Sequence, residues 1–265
     1  MTTQQPPRDA PTAGVFHGGN DRSGSRQAQR GPVLESVPQH AVVTGSGGMR
    51  STVLAHWLRR YVGTPVSLLS VDDGRAPRAP LRRVRATARR LDVRHYEVDV
   101  RNLGRLLCDE LGTRGPDVPS VVNRGGSTTT PNRFLLVLDI AVGLAVSTGA
   151  DAVAVGGFPA DMANLERRGF LDTYARLARI GNPNALWFRV IAPFIDLTGP
   201  EIVRYGVELD VDFSLSWSCH FDVARHCGTC AGCGERRQAF DGAGVADPTV
   251  YRPDGQQHNH GGCFD

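Results

Sequence analysis

Val42-Val43-Thr44-Gly45-Ser46-Gly47-Gly48-Met49-Arg50-Ser51 runs from an apolar strand through small residues directly into a helix. A turn of this kind exposes backbone N–H groups. With the positive end of the following helix they form a cradle for phosphate or pyrophosphate, which glycine lets approach closely and to which the serines add hydroxyl donors. Outward from this loop, short apolar runs alternate with amphipathic stretches. Ala41–Thr44, Val66–Val71, His95–Val100, Asp151–Gly156 and Trp187–Ile191 read as strands, with crossover helices at Ser51–Tyr61, Pro80–Leu91, Asn132–Thr148 and Glu166–Ile180. The expected fold is α/β, a doubly wound five-stranded parallel sheet. The loop then lies at the carboxyl end of the first strand, where open parallel sheets bind ligands. A last helix is announced by Thr198-Gly199-Pro200-Glu201, in which the hydroxyl caps the first turn and Glu201 closes a capping box.

Every one of the 30 basic residues in this chain of 265 is arginine, since no lysine occurs. A Walker-type phosphate loop and a Schiff-base mechanism both need a lysine, so both are excluded. Against 27 acidic residues the net charge is +3, too mild to point to nucleic acid or an anionic membrane. Residues 75–94 hold eight arginines and one acid, yet Leu81, Val84, Ala88 and Leu91 recur at helical spacing. That segment reads as an amphipathic helix with a basic solvated face, and without aromatic side chains for base stacking no nucleic-acid contact is expected of it. No apolar run approaches the roughly 20 residues of a membrane span. Residues 1–36 are rich in Pro, Gly, Gln, Arg and Ser and read as a disordered, non-secretory leader, which makes the protein cytoplasmic and its thiols reduced.

After Trp217 the periodicity fades and cysteines take over as Cys219-x7-Cys227-x2-Cys230-x2-Cys233. Paired Cys-x2-Cys turns place sulfurs around one centre with little strain, and four thiolates suit structural Zn²⁺. Metal binding also supplies folding energy that so short a segment cannot draw from its own core. An iron–sulfur cluster and a pair of disulfides are the competing readings. The fourth Cys-Pro of many clusters is missing, and so is a secretory leader. Cys108 reads as a buried helical thiol and Cys263 as part of a tail. The expected organisation is a leader over residues 1–36, a nucleotide-binding α/β domain over 37–215, a zinc-binding module over 216–252 and a flexible tail over 253–265.

The loop SGGMRS resembles the SGGxDS loop of the PP-loop ATP pyrophosphatases, and within that superfamily the chain resembles the 7-cyano-7-deazaguanine synthase family. Pro131-Asn132-Arg133 before an apolar helix is similar to that family's PGRN helix. Pro193-Phe194-Ile195-Asp196-Leu197-Thr198 followed by Glu201-Ile202 is similar to its PLIDLTKxEI segment. Ser216-Trp217-Ser218-Cys219, the remaining cysteines, Arg236 through Phe240, and Asp247-Pro248-Thr249-x-Tyr251 resemble its zinc module and carboxyl end. The resemblance covers about residues 40 to 252. It implies an ATP-dependent ligase that adenylates a deazapurine-type carboxylate, lets ammonia or another amine displace AMP, and dehydrates the amide to a nitrile in a second activation.

It further implies nucleotide contacts from Thr44, Gly45, Ser46, Gly47, Gly48, Met49, Arg50, Ser51 and Asp72, with Ser46, Arg50, Ser51 and Arg133 serving catalysis. Arg133 and Asp161 would touch the substrate, Cys219, Cys227, Cys230 and Cys233 would hold zinc, and Mg²⁺ would accompany ATP in a homodimer. The chain departs from the family where chemistry is concentrated. Arg50 stands for the acid of SGGxDS, Gly199 for the lysine of LTKxEI, and the GYPDCR substrate segment is absent. Arg50 could grip phosphate with a bidentate fork and reduce the need for metal. The alternative implied by the same substitutions is a catalytically degenerate homologue that binds nucleotide or deazapurine.

Overall fold

The computed structural model describes residues 31–74, 78–104, 106, 132–158, 164–183, 187–221 and 223–253. Asp161, Cys108, Cys263, the tail beyond residue 253 and the first 30 residues lie outside them. Five strands, β1 (Ala41–Thr44), β2 (Val66–Asp72), β3 (Arg94–Asp99), β4 (Ala152–Ala154) and β5 (Arg189–Ile191), form one parallel sheet in the order β3-β2-β1-β4-β5. The order reverses between β1 and β4, and β1 pairs both ways, Val42 with Ser67 on one side and with Val153 on the other. The crevice at this reversal is where doubly wound sheets take ligands.

Side chains alternate across the sheet because the strand period is two. Ala41, Val43, Val66, Leu68, Ala152 and Ala154 point to one face, which is covered by α1 (Met49–His56), α2 (Arg78–Leu91), α5 (Gly199–Glu208) and α6 (Ala231–Ala243). Val42, Leu69, Val71, Val153 and Val155 point to the other, under α3 (Arg133–Thr148) and α4 (Asn164–Gly181). The basic stretch is the expected amphipathic helix: α2 buries Leu81, Val84, Ala88 and Leu91 and leaves its arginines outward. Among the described residues no helix is long and apolar enough to cross a membrane.

Most element limits shift by a residue or two, and three elements differ more: β4 spans only Ala152–Ala154 of the expected Asp151–Gly156, and the first helix and last strand change as follows. The first helix does not run evenly to Tyr61; it is α-helical to His56 and then widens into a π-helical turn over Trp57–Val62 before Gly63 at φ 78° ends it. The last strand is shorter than its apolar run, since Trp187 is 51% exposed and stands outside the sheet. The capping box of α5 forms as expected, with Glu201 Oε2 accepting the Thr198 N–H at 2.7 Å.

Arg236 on α6 fastens the cysteine segment to the sheet domain and is 1% exposed. It donates to Asp247 Oδ1 at 3.0 Å, to Ser216 Oγ at 2.7 Å and to the Phe213 carbonyl at 3.1 Å. Asp247 is itself held by the Thr249 N–H at 3.0 Å and the Tyr251 hydroxyl at 2.6 Å. One guanidinium thus joins α6, the turn before Trp217 and the carboxyl-terminal segment. Arg236→Met removes one partner of a buried ion pair and should cost about 3 kcal/mol or more, read as a lower urea midpoint at unchanged m-value.

Candidate functional site

The loop after β1 is shaped by backbone bonds rather than by side-chain packing. Gly45 N–H donates to the Leu69 carbonyl at 2.6 Å, keeping the chain beside β2 for one residue beyond the strand. Gly47 then turns at φ 72°, and a Cβ there would sit 2.4 Å from the Pro80 carbonyl oxygen. Its own carbonyl accepts the Trp217 N–H at 2.7 Å, so the loop is tied to the segment that carries the first cysteine. Ser46 Oγ lies 3.0 Å from Ser51 Oγ, and Ser51 donates to the Gly48 carbonyl at 3.1 Å. Gly48 is the N-cap of α1 and offers no side chain to cap it. The first N–H groups of a helix have no partner within it, and here no side chain of the N-cap takes that role.

These residues border a cavity of about 550 Å³. Ser46, Gly48, Met49, Arg50 and Ser51 form one wall, Gly199 and Pro200 at the start of α5 a second, and Ser218 with Gly232, Glu235, Arg236, Gln238 and Ala239 the third. Gly157, just past β4, completes the rim. The third wall belongs to the cysteine segment and was not expected to contribute. Its signal is the spacing 232, 235, 236 and 239, one face of a helix that begins directly after Cys230.

Arg50 is half-buried on this cavity and its Nη1 donates to the Leu197 carbonyl at 2.9 Å. Burial and the charge of Arg167 lower its pKa, while Glu235 and Glu201 act in the opposite sense. A cation in the first turn of a helix also opposes the helix dipole. Three influences therefore disfavour an uncompensated charge at Arg50, and a bound anion would answer all of them.

The other expected residues fall elsewhere. Thr44 and Gly45 lead into the loop, and Gly47 backs onto Pro80. Arg133 lies at the far end of β2, where its Nε donates to the buried Asp73 at 2.8 Å; it is not among the residues lining the cavity. Asp72 accepts the Gly74 N–H at 2.9 Å, a local turn that accounts for its place at the end of β2. The structure therefore gathers Ser46, Gly48, Met49, Arg50 and Ser51 on one cavity and leaves Arg133 and Asp72 outside its lining.

The four cysteines Cys219, Cys227, Cys230 and Cys233 place their sulfurs within 4.8 Å of one another and could hold a metal ion. Cys227 and Cys233 are 3.9 Å apart. Zinc–sulfur bonds of about 2.3 Å in a tetrahedron put sulfurs about 3.8 Å apart, so the group fits the ion. Backbone N–H groups already point at the sulfurs: Cys227 N–H to Cys219 at 3.4 Å, Cys230 N–H to Cys227 at 3.3 Å and His220 N–H to Cys230 at 3.5 Å. Hydrogen bonds from Cys219 and Cys233 hold the Cys230 thiol far below its ordinary value, whereas the bond to Cys230 pushes Cys219 up to about 11. Cys219, Cys230 and Cys233 thus compete for their protons, and a divalent cation would replace them.

A model of the family described as queuosine biosynthesis protein QueC matches residues 40–244. The 7-cyano-7-deazaguanine synthase 1 of Mesorhizobium japonicum is 36% identical over 220 residues, covering 80% of this chain and 93% of the relative. The 7-cyano-7-deazaguanine synthase of Rhizobium meliloti is 37% identical over 215 residues, covering 79% and 91%. Among solved structures, the U34-tRNA thiolase NcsA from Methanococcus maripaludis with its [4Fe-4S] cluster is similar at a TM-score of 0.44 and 16% identity, over 82% of this chain and 67% of that one.

The loop geometry itself can be tested without a ligand. Gly47→Ala puts a Cβ against Pro80 at a positive φ, so it should lower stability by about 2 kcal/mol, seen as an earlier thermal transition. Gly143→Ala, on a helix where a Cβ meets nothing within 4 Å, should leave or raise stability.

Proposed function

The chain belongs to the queuosine biosynthesis QueC family, and from that membership we propose that it is an ATP-dependent carbon–nitrogen ligase converting a deazapurine-type carboxylate and ammonia to the amide and on to the nitrile. The observation that carries this reading is the Ser46–Ser51 loop with a half-buried guanidinium on one cavity. The substrate carboxylate oxygen attacks the α-phosphorus of ATP and pyrophosphate leaves; ammonia attacks the carbonyl carbon and AMP leaves. The amide oxygen then attacks the α-phosphorus of a second ATP and pyrophosphate leaves; cleavage of the C–O bond with departure of AMP and loss of two protons from the nitrogen yields the nitrile. Ser46, Gly48 and Ser51 hold the departing pyrophosphate through hydroxyl and backbone N–H donors whose hydrogen bonds strengthen as charge develops on it. Arg50 neutralises that charge with a fork that matches phosphate oxygens.

The substitution at Gly199 supports placing this role on Arg50. A Cβ at Gly199 would lie 2.9 Å from the Ala239 Cβ, so a lysine there needs α6 to move. Arg50 instead reaches the same loop from the opposite wall and bonds to Leu197, two residues before Gly199. Magnesium bound by the nucleotide phosphates and a homodimer belong to the same reading and rest on the family resemblance alone, while a cytoplasmic location is the expectation from composition.

In this reading Cys219, Cys227, Cys230 and Cys233 hold zinc, which supplies folding energy and not chemistry, because four thiolates leave no open position. One zinc per chain without labile sulfide is the expected metal analysis; iron with sulfide would overturn it. Chelation should lower the melting temperature and also weaken nucleotide binding, since the Trp217 bond to Gly47 joins the two sites.

Incubation with ATP, carboxydeazaguanine and ammonium should release AMP and pyrophosphate in equal amounts. Arg50→Asp, which restores the family's acid, should lower kcat/KM by about 100-fold, comparable to loss of one charge-stabilising donor. Absence of turnover with retained nucleotide binding would favour the degenerate binding homologue. A rise in activity on Arg50→Asp would show that Arg50 had not been recruited.

A further inference from the structure

Among the described residues that line the cavity, Glu235 is the only acid. Its place is set by the packing of α6 on both sides of it. Toward the amino end Gly232 abuts Ser218, whose carbonyl oxygen an added Cβ would strike. Toward the carboxyl end Ala239 and Gly242 abut the start of α5: a Cβ on Gly199 would lie 2.9 Å from the Ala239 Cβ, and one on Gly242 would lie 2.7 Å from the Pro200 Cγ. Residues 232, 235, 239 and 242 share one face of the helix. Three of the four are glycine or alanine, so α6 touches its neighbours there with backbone and a methyl group. Glu235 is the long polar exception, placed between the two contacts on the wall of the cavity. The next residue, Arg236, is buried against Asp247, Ser216 and the Phe213 carbonyl, which fixes the rotation of α6 about its axis.

Among the described residues no hydrogen bond or ion pair engages the Glu235 carboxylate. Arg50, on another wall of the same cavity, is anchored to the Leu197 carbonyl at 2.9 Å and forms no ion pair with it. The cavity thus offers one free anion and one anchored cation, each open to a partner of its own. The two reactants that meet in it carry the matching charges, since ammonia is mostly ammonium at neutral pH and the nucleotide is a polyanion. Resting on the ligase reading of this cavity, we infer that Glu235 is its amine-binding residue, whose carboxylate captures ammonium and takes the proton released when the C–N bond forms. Bound ammonium first gives one proton to solvent, and the freed lone pair attacks the acyl carbon of the adenylate. The bond from that carbon to the AMP phosphate oxygen breaks and its electron pair leaves with AMP. A second proton passes from the new nitrogen to Glu235, which returns it to water. Acyl adenylate and ammonium thus become amide, AMP and two protons. Arg50 holds the anion that leaves and Glu235 the cation that arrives, each through charge-assisted hydrogen bonds.

The test is the initial rate of the full-length protein with ATP and carboxydeazaguanine at varied ammonium, repeated with hydroxylamine, a nucleophile that is uncharged at neutral pH and needs no carboxylate to hold it. Glu235→Gln should raise KM for ammonium by about tenfold or more, the size of one charge-assisted hydrogen bond, and leave KM for ATP unchanged. With hydroxylamine the same variant should match the native protein. Glu235→Asp should recover part of the ammonium loss. Asp241→Asn, which removes an exposed acid of α6 outside the cavity lining, should leave both nucleophiles unaffected. An unchanged KM for ammonium in Glu235→Gln overturns the proposal. So does an equal loss with hydroxylamine, which would make Glu235 a support of the cavity wall, and so does an equal effect of Asp241→Asn, which would reveal only net charge. If Glu235→Gln does not fold, Glu235→Ala decides by the same outcomes. Failure of the native protein to release AMP and pyrophosphate with either nucleophile removes the ligase reading and this one with it. Native turnover that Glu235→Gln leaves intact removes this one alone.

Discussion

A single hydrogen bond, from the Trp217 N–H to the Gly47 carbonyl at 2.7 Å, sets the geometry on which the rest of the site depends. Gly47 can offer that carbonyl only because it turns at φ 72° with no side chain toward Pro80 at the start of α2. Trp217 can reach it only because its own segment is held from behind. Its indole N–H donates to the Cys219 carbonyl at 2.9 Å, and His226 packs against its ring at 4.1 Å while accepting the Ser218 N–H at 3.1 Å. The Ser46–Ser51 loop, the start of α2 and the cysteine cluster are therefore parts of one braced unit. A metal that orders the cysteines also orders a wall of the cavity, because Ser218 and α6 belong to both.

Arginine alone carries the positive charge of this chain, and the structure uses the directional reach of its fork repeatedly. Arg50 bonds to the Leu197 carbonyl, Arg236 to Phe213, Arg204 to Gly242 and Arg237 to Gly228. Each guanidinium satisfies a carbonyl that an irregular segment would otherwise leave to water, and keeps further N–H groups for a second partner. In Arg236 the second and third partners are Asp247 and Ser216, which is why a fully buried cation is tolerated at the junction of α6 with the sheet domain. In Arg50 the further donors face the cavity. An ammonium group, with one compact charge, would not divide itself between anchoring and binding in this way.

The sheet and its covering helices were legible because each strand is a short apolar run and each crossover helix repeats at three and four residues. The strand order was not, since no local pattern states that β1 lies between β2 and β4; the reversal that creates the crevice follows from which helix covers which face. That the Ser46–Ser51 loop borders a cavity was legible from its glycines and serines, and the cysteine cluster from its spacing. The third wall of the cavity was not, because Glu235 and Gln238 lie far along the chain from Ser46 and nothing near them marks a ligand. Arg133 stood out as a cation at a helix start, but its charge answers Asp73, a buried carboxylate whose position only the fold reveals.

The departures at Arg50 and Gly199 look independent in sequence and are coupled in space. With no side chain at position 199, Ala239 of α6 lies against the start of α5, where a Cβ on Gly199 would sit 2.9 Å from the Ala239 Cβ. Glu235, one turn earlier on α6, lies on the wall that faces Arg50. An aspartate at position 50 would meet that carboxylate across the cavity and repel it, whereas an arginine is attracted to it and can still bond to Leu197. Arg50 and Glu235 thus place opposite charges on facing walls of one cavity, with Gly199 between them. Because Cys230 and Cys233 begin that helix, Glu235 is positioned by the cysteine cluster itself, and the electrostatics of the Ser46–Ser51 loop are set partly by a segment some 180 residues away along the chain.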